Sequence, residues 1–186
     1  CGPTGIGFLW SRKEILEKIP PLFGGGEMIQ DVFEETSTWA ELPHKFEAGT
    51  PAIAEAIGLA EAINYINNIG LNEIHEYEKT ITKYLFEKLN QIENIEIIGP
   101  SPEIDPDRAS LATFYIKNIH SNDIAEILDS KGICIRSGHH CCQPLHRYIG
   151  IKSTARISMN FTTNKEEIDM FIEKLKDTID FLKINS

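Results

Sequence analysis

The sequence of 186 residues lacks any run of about 18 consecutive apolar residues, which is the length that a membrane-spanning helix requires. Its first residues also lack the basic and apolar segments of a signal peptide. We therefore expect a soluble intracellular protein, in the cytoplasm or, if the source is eukaryotic, in a plastid stroma, with no membrane as a partner.

Basic residues are scarce. Lys and Arg total 18 against 28 Asp and Glu, which gives a formal net charge of −10. Such a chain is not expected to present a broad basic surface, so no nucleic-acid partner is predicted. Gly2 and Gly5 form neither a dinucleotide-binding GxGxxG fingerprint nor a phosphate-binding loop with its lysine.

Cysteine is also sparse and unevenly placed. Three of the four cysteines lie between Cys134 and Cys142, which is not the spread pattern of a disulfide-linked scaffold. The adjacent thiols of Cys141 and Cys142 would make a strained bridge. We therefore expect reduced thiols.

The first half of the sequence predicts an α/β layout. A strand is predicted at residues 6–10, followed by a short helix that Ser11 caps and an irregular stretch that extends to residue 48. An alanine-rich helix is predicted at 52–69, and an amphipathic helix at 71–92.

From residue 95 the predicted order is strand, strand, helix, strand, strand, helix, which is typical of a compact α+β domain. The strands are predicted at 95–98, 111–116, 133–136 and 155–160, and the helices at 123–130, with Ser121 as a cap, and at 168–182, after a capping box of Asn164 and Glu167.

The segment 136–144, Arg-Ser-Gly-His-His-Cys-Cys-Gln-Pro, concentrates two imidazoles, two thiols and a guanidinium. Positive charge favours the thiolate form of a cysteine, so Cys141 is a candidate nucleophile. A metal ligand and an ordinary buried thiol are the alternatives. Four consecutive donors do not easily surround one tetrahedral ion, and we predict no metal, although His146 is a further nearby donor.

Two more residues point to anion binding. Arg156 lies in an apolar strand pattern and needs an anionic partner there, either a substrate carboxylate or an internal acidic side chain. Thr50 directly precedes a helix, where its hydroxyl could contact a phosphate or simply cap the helix.

Four segments together resemble a known family. They are Cys-Gly-Pro-Thr-Gly-Ile-Gly at 1–7, Gly-Gly-Gly-Glu-Met-Ile at 24–29, Phe-Glu-Ala-Gly-Thr-Pro at 46–51 and Arg-Ser-Gly-His-His-Cys at 136–141. In this order, with Arg156 downstream, they are similar to the C-terminal half of SufS-like cysteine desulfurases, which are class V aminotransferases.

The resemblance implies an aspartate-aminotransferase fold, a homodimer and pyridoxal 5′-phosphate as cofactor. Residues 1–50 would end the large cofactor-binding domain, 51–92 would be connecting helices and 93–186 the small C-terminal α+β domain. By the resemblance, Cys141 takes sulfur from L-cysteine as a persulfide and leaves L-alanine. Arg156 and Arg136 bind the substrate, and Thr50 reaches the cofactor phosphate of the neighbouring subunit.

The resemblance also implies that the lysine binding the cofactor covalently lies upstream of Cys1, so these 186 residues alone are not expected to turn over cysteine. The sulfur would pass to a SufE-like acceptor for iron–sulfur cluster assembly. The thiol of Cys142, beside the nucleophile, could accept the persulfide sulfur of Cys141 or could face away from the site. Two alternatives stay open: a selenocysteine lyase of the same fold, and a non-catalytic sulfur-acceptor or metal-binding module.

Overall fold

The computed structural model describes residues 1–184, and the chain forms two compact units, Cys1–Ile69 and Gly70–Ser186. The boundary at Gly70 falls within the predicted connecting segment 51–92. It divides the two predicted helices there, and the second helix belongs to the second unit because its apolar face, which includes Leu85 and Leu89, is buried in that unit's core.

The first unit is mainly loops joined to one long helix. Its elements are α1 (Lys13–Lys18), an antiparallel hairpin of β1 (Ile29–Val32) and β2 (Ser37–Trp39), a 3-10 turn at His44–Phe46, and α2 (Ile53–Ile69). The hairpin lies in the stretch that the sequence predicted to be irregular, whereas α2 confirms the predicted alanine-rich helix.

The strand predicted at residues 6–10 is wrong. These residues form no strand, and Phe8, Leu9 and Trp10 are exposed. An apolar run becomes a strand only when another strand completes its backbone hydrogen bonds, and within the described residues none pairs with this one. Ser11 is not a cap either, because α1 begins after Arg12 with no side-chain cap.

The second unit is an α+β domain with one antiparallel sheet. Strands β3 (Ile95–Ile98), β4 (Leu111–Ile116), β5 (Arg136–Gly138) and β6 (Thr154–Ser158) pair in the order β3-β4-β6-β5. The helices are α3 (Leu71–Leu89), α4 (Ser121–Ser130), α5 (Gln143–Ile149) and α6 (Lys165–Ile184).

The core lies on one face of this sheet. Alternate residues of β4 are buried, and with Ala155 of β6 they pack against the apolar faces of α3, α4 and α6. Residues on the opposite face of the sheet are partly buried or exposed, with the exception of Thr154, which is buried. The core is formed by Ile81, Leu85, Leu89, Ala112, Phe114, Ile116, Ile124, Leu128, Ala155, Ile168, Phe171 and Leu175, among others.

The strands and helices predicted for this unit occur in the predicted order, with α5 inserted between β5 and β6, and several details differ. The strand predicted at 155–160 is β6, which begins at Thr154 and ends at Ser158. The long predicted helix ends at Leu89 rather than near residue 92. The N-cap of α4 is His120, whose Nδ1 accepts a hydrogen bond from the Asn122 N–H, rather than Ser121. The strand predicted at 133–136 begins at Arg136, where pairing with β6 starts. Helix α5 is an additional element.

The predicted capping box of α6 is confirmed. The Asn164 Oδ1 accepts a hydrogen bond from the Glu167 N–H at 2.9 Å, and the Glu167 Oε2 accepts one from the Asn164 N–H at 2.9 Å. Across residues 1–184, no helix combines the length and the apolar character of a membrane span.

Candidate functional site

The pairing of β5 with β6 brings two arginines side by side. Arg136 lies opposite Arg156, and Gly138 lies opposite Thr154. Because side chains alternate along a strand, Arg136, Arg156 and Thr154 share the sheet face that points away from the core. Two guanidiniums directly opposite each other repel, so this face attracts anions.

A tight turn after β5 carries the cysteine. The Cys142 N–H donates to the His139 carbonyl oxygen at 2.9 Å, and the two residues between them have positive φ angles, 50° at His140 and 60° at Cys141. The left-handed region costs a residue other than glycine about 1–2 kcal/mol. This strained turn fixes where Cys141 stands.

Cys141 is exposed, and a guanidinium contacts its sulfur. Arg136 Nη2 lies 3.4 Å from Cys141 Sγ, with the nitrogen as donor. A cationic donor at this distance stabilises a thiolate more than a thiol. The predicted proximity of Arg136 and Cys141 is therefore present, and the buried-thiol alternative does not describe Cys141.

Three further side chains form a hydrogen-bonded chain behind the turn. His140 Nε2 lies 2.9 Å from Thr154 Oγ1, and His146 Nε2 lies 3.1 Å from the same oxygen. His146 Nδ1 lies 3.1 Å from the carbonyl oxygen of Cys142. Helix α5 supplies His146, and this helix begins with a proline among its first two residues, a position where proline's missing N–H is not needed.

His140 is kept neutral by its surroundings. Burial is the largest cause of its lowered pKa, and the positive charges of Arg156 and Arg136 together with His146 lower this pKa further. The lowered pKa disfavours a charge on His140, beside the two guanidiniums of Arg136 and Arg156.

Arg156 lacks an acidic partner within the described residues. Neither Arg156 nor Arg136 forms an ion pair there, and the Arg156 Nε is buried without a hydrogen-bond partner. The ion pair of Arg156 with an internal acidic side chain, which the sequence left open, is therefore not found among residues 1–184. An unpaired, half-buried guanidinium is costly unless a ligand supplies the anion.

The site opens to solvent as a shallow depression of about 510 Å³. Its lining consists of Arg136, Ser137, His139, His140, Cys141, Gln143 and Pro144. Over the described part of the chain, no cluster of three or more His, Cys, Asp or Glu side chains is arranged to hold a metal ion.

Thr50 lies in the first unit, where the structure brings two of the singled-out segments together. The Gly49 N–H donates to the Gly26 carbonyl oxygen at 2.9 Å, and a Cβ on Gly25 would contact the Ala48 Cβ at 3.6 Å. Thr50 is exposed, three residues before α2, a position where a hydroxyl can contact an anion at the positive end of the helix.

Comparison with known proteins decides the family. The sequence matches the model of the family described as "Aminotransferase class-V" over residues 1–171. The chain belongs to the class-V aminotransferase family.

Similar proteins place this class-V aminotransferase chain near one group of the family. It is 53% identical to a protein of Synechocystis named "Probable cysteine desulfurase", over 97% of this chain and 43% of that protein. The solved structure of the apo cysteine desulfurase of Thermococcus onnurineus is 37% identical, with a TM-score of 0.87 over 96% of this chain and 44% of that chain.

The cysteine desulfurase CsdA of Escherichia coli, solved in an S-sulfonic acid form, is 29% identical with a TM-score of 0.87 over 97% of this chain and 44% of that chain. These similarities confirm the predicted α/β fold class and its correspondence to part of an aminotransferase fold. The chain spans about two fifths of the length of the relatives it matches.

Sequence reasoning missed two residues of this site in the class-V aminotransferase chain. Thr154 lies just before the strand predicted at 155–160 and was not singled out, and His146 was considered only as a further metal donor. Both are buried, at 1% and 5% exposure, and both bond to the turn that holds Cys141 or to its neighbour. A polar residue at the start of a buried strand, opposite the glycine of the Cys segment, was the only signal available.

Proposed function

We propose that this chain is part of a cysteine desulfurase, which removes sulfur from L-cysteine, leaves L-alanine and holds the sulfur as a persulfide on Cys141. The observation that carries the proposal is the contact of 3.4 Å between Arg136 Nη2 and an exposed Cys141 Sγ. The names of the most similar relatives support it.

Each residue of the site has a role in this proposal. Arg136 stabilises the Cys141 thiolate, which is the form that attacks sulfur. Arg156, which has no acidic partner among residues 1–184, binds the substrate carboxylate through its terminal nitrogens. The left-handed turn keeps Cys141 at the mouth of the open depression, where its sulfur can be loaded and then handed on.

The cofactor of the proposed reaction is pyridoxal 5′-phosphate. Of the residues in this chain, Thr50 fits its phosphate, because an exposed hydroxyl before a helix of 17 residues is a suitable donor for an anion. When bound, the cofactor supplies an electron sink for the bond that breaks at the substrate. Thr50 would hold the phosphate of the neighbouring subunit in a homodimer.

The partner of the proposed enzyme is a SufE-like sulfur acceptor, with iron–sulfur cluster assembly as the destination of the sulfur. The exposure of Cys141 supports a handover to another protein, because a persulfide there is within reach of an incoming thiolate.

The test uses the full-length protein, treated with L-cysteine and analysed by peptide mass. We expect one added sulfur on the Cys141 peptide, lost in Cys141→Ser while the cofactor absorbance stays. Cys134→Ser is the matched control, because Cys134 is also exposed and should leave the sulfur on Cys141. Loss of cofactor absorbance in Cys141→Ser would mean that this cysteine is structural, and faster turnover of L-selenocysteine would favour a selenocysteine lyase.

A further inference from the structure

Two buried polar atoms near the site lack a hydrogen-bond partner among the described residues. They are the Nδ1 of His140 and the Nε of Arg156. The Nε always carries a proton and can only donate, whereas an imidazole nitrogen either donates or accepts. Buried polar atoms left unpaired are rare in folded proteins, so this pair needs an explanation.

The hydrogen-bonded chain behind the turn determines which nitrogen of His140 carries its proton. A carbonyl oxygen only accepts, so His146 must donate its Nδ1–H to the Cys142 carbonyl. A neutral imidazole that donates through Nδ1 accepts through Nε2. Its Nε2 is therefore an acceptor.

The proton of the Thr154 hydroxyl then goes to His146 Nε2, because that contact needs a donor. The Thr154 oxygen is left to accept, and the donor at 2.9 Å is the Nε2–H of His140. His140 is therefore protonated on Nε2, and its Nδ1 is a bare acceptor. The lowered pKa of His140 agrees with a neutral ring.

The bare acceptor and the unpaired donor lie on the same side of the sheet. Thr154 and Arg156 are two residues apart on β6 and therefore project from one face, and His140 bonds to Thr154 on that face. An acceptor without a donor and a donor without an acceptor thus belong to side chains on one face, and the charge of Arg156 acts on the His140 ring.

We propose that His140 is a positioning residue, whose bare Nδ1 accepts a hydrogen bond from the Arg156 Nε–H when a carboxylate occupies the terminal nitrogens of Arg156. Thr154 and His146 prepare this arrangement by fixing the tautomer of His140. The inference rests on the proposed carboxylate site. It assigns a function to Thr154 and His146, which contact neither Arg156 nor the sulfur of Cys141 in the described hydrogen bonds.

The first measurement reads the tautomer directly and needs no ligand. In the full-length protein with ¹⁵N-labelled histidine, the two ring nitrogens of His140 differ in chemical shift according to which is protonated. We expect Nε2 to be protonated and Nδ1 to be bare, with the same pattern in Thr154→Ser. Thr154→Val, of nearly the same shape but without the hydroxyl, should lose this preference. A protonated Nδ1 in the unchanged protein would overturn the inference.

The second measurement is calorimetric binding of 3-mercaptopropionate, a carboxylate that lacks the amino group of cysteine. We expect Thr154→Val to weaken binding about tenfold, which corresponds to one charge-assisted hydrogen bond, and Thr154→Ser to bind as the unchanged protein does. Unaltered binding in a Thr154→Val variant that has lost the tautomer would overturn only this inference. Absence of binding to the unchanged protein would overturn the proposed carboxylate site as well.

A second pair of variants covers the case in which Thr154→Val does not fold. Asn tolerates the left-handed φ of residue 140 and offers an acceptor oxygen close to the position of Nδ1, whereas Ala offers none. We expect His140→Asn to retain more affinity for 3-mercaptopropionate than His140→Ala. Equal losses in the two variants would show that the acceptor at this position has no part in binding.

Discussion

At the scale of single residues, the contact between Arg136 and Cys141 is the one most open to test. We expect Arg136→Met in the full-length protein to slow alkylation of Cys141 by iodoacetamide at neutral pH by about tenfold, because the cationic donor to the sulfur is lost. Arg136→Lys should retain part of the rate.

Cys134 provides an internal control for this measurement. It is exposed, and its contact is the carboxylate of Asp129 at 3.7 Å rather than a cation. Peptide mass analysis separates the two alkylation rates in one sample. A change of equal size at Cys134 and Cys141 would indicate a general effect on the fold, and no change at Cys141 would contradict the role given to Arg136.

His140 should make stability depend on pH. Burial, with Arg156, Arg136 and His146 nearby, lowers its pKa in the folded protein below the ordinary value of 6.5. The unfolded chain therefore binds a proton first as the pH falls, and stability decreases from about pH 6.5 down to the lowered pKa. Urea unfolding midpoints across this window should fall less for His140→Asn. A midpoint that falls equally in both proteins would contradict this prediction.

At the scale of elements, the capping box of α6 is a clear case for measurement. We expect Asn164→Ala and Glu167→Ala each to lower the free energy of unfolding by about 1 kcal/mol, because each removes a partner of a backbone N–H at the helix start. Glu166→Ala is the matched control, since Glu166 also lies in the first turn and its loss removes a similar interaction with the helix dipole. If Asn164→Ala and Glu167→Ala lowered the free energy of unfolding no more than Glu166→Ala does, the two hydrogen bonds of the capping box would contribute nothing to stability.

Helices and strands with a strong apolar period were predictable from the sequence. Strands whose presence or bounds depend on a pairing strand were not. β4 and β3 have the predicted bounds because alternation or an isoleucine cluster marks them. The strand at 6–10 failed for lack of a pairing strand, and β5 was predicted three residues early because pairing with β6, rather than apolar character, determines its start. Helix α5 is too short to show a period.

At the scale of the whole molecule, the second unit has a hydrophobic core of its own. We expect residues 70–186, produced alone, to fold cooperatively, because the core residues of α3, α4, α6 and the sheet all lie within this unit. Urea unfolding followed by circular dichroism would measure this. Leu85→Ala, at a fully buried position, should cost about 3 kcal/mol there. A broad transition that Leu85→Ala does not shift would contradict the prediction.

The charged and nucleophilic residues of the site were predictable from the sequence, whereas the hydrogen bonds between its side chains were not. Residue types alone selected Cys141, Arg136 and Arg156, and the antiparallel register of β5 and β6 explains why the two arginines meet. The bonds of Thr154 with His140 and His146 depend on where the chain returns after a turn and a short helix. Sequence spacing carries no direct signal for the bond between His140 and Thr154, which lie 14 residues apart in the turn and in β6. The contact of His146 with the Cys142 carbonyl is local, because Cys142 is the N-cap of α5 and His146 lies in that helix.

The backbone of the turn that carries Cys141 also limits which amino acids can occupy its positions. Side chains branched at Cβ, such as Thr and Val, are poorly tolerated at the left-handed φ of 60° at residue 141, whereas Ser and Ala are less restricted. A mutational scan should therefore separate two kinds of loss at this position. Small unbranched replacements remove the sulfur alone, while branched ones also reshape the loop, so tolerance at residue 141 reports on backbone geometry as much as on chemistry.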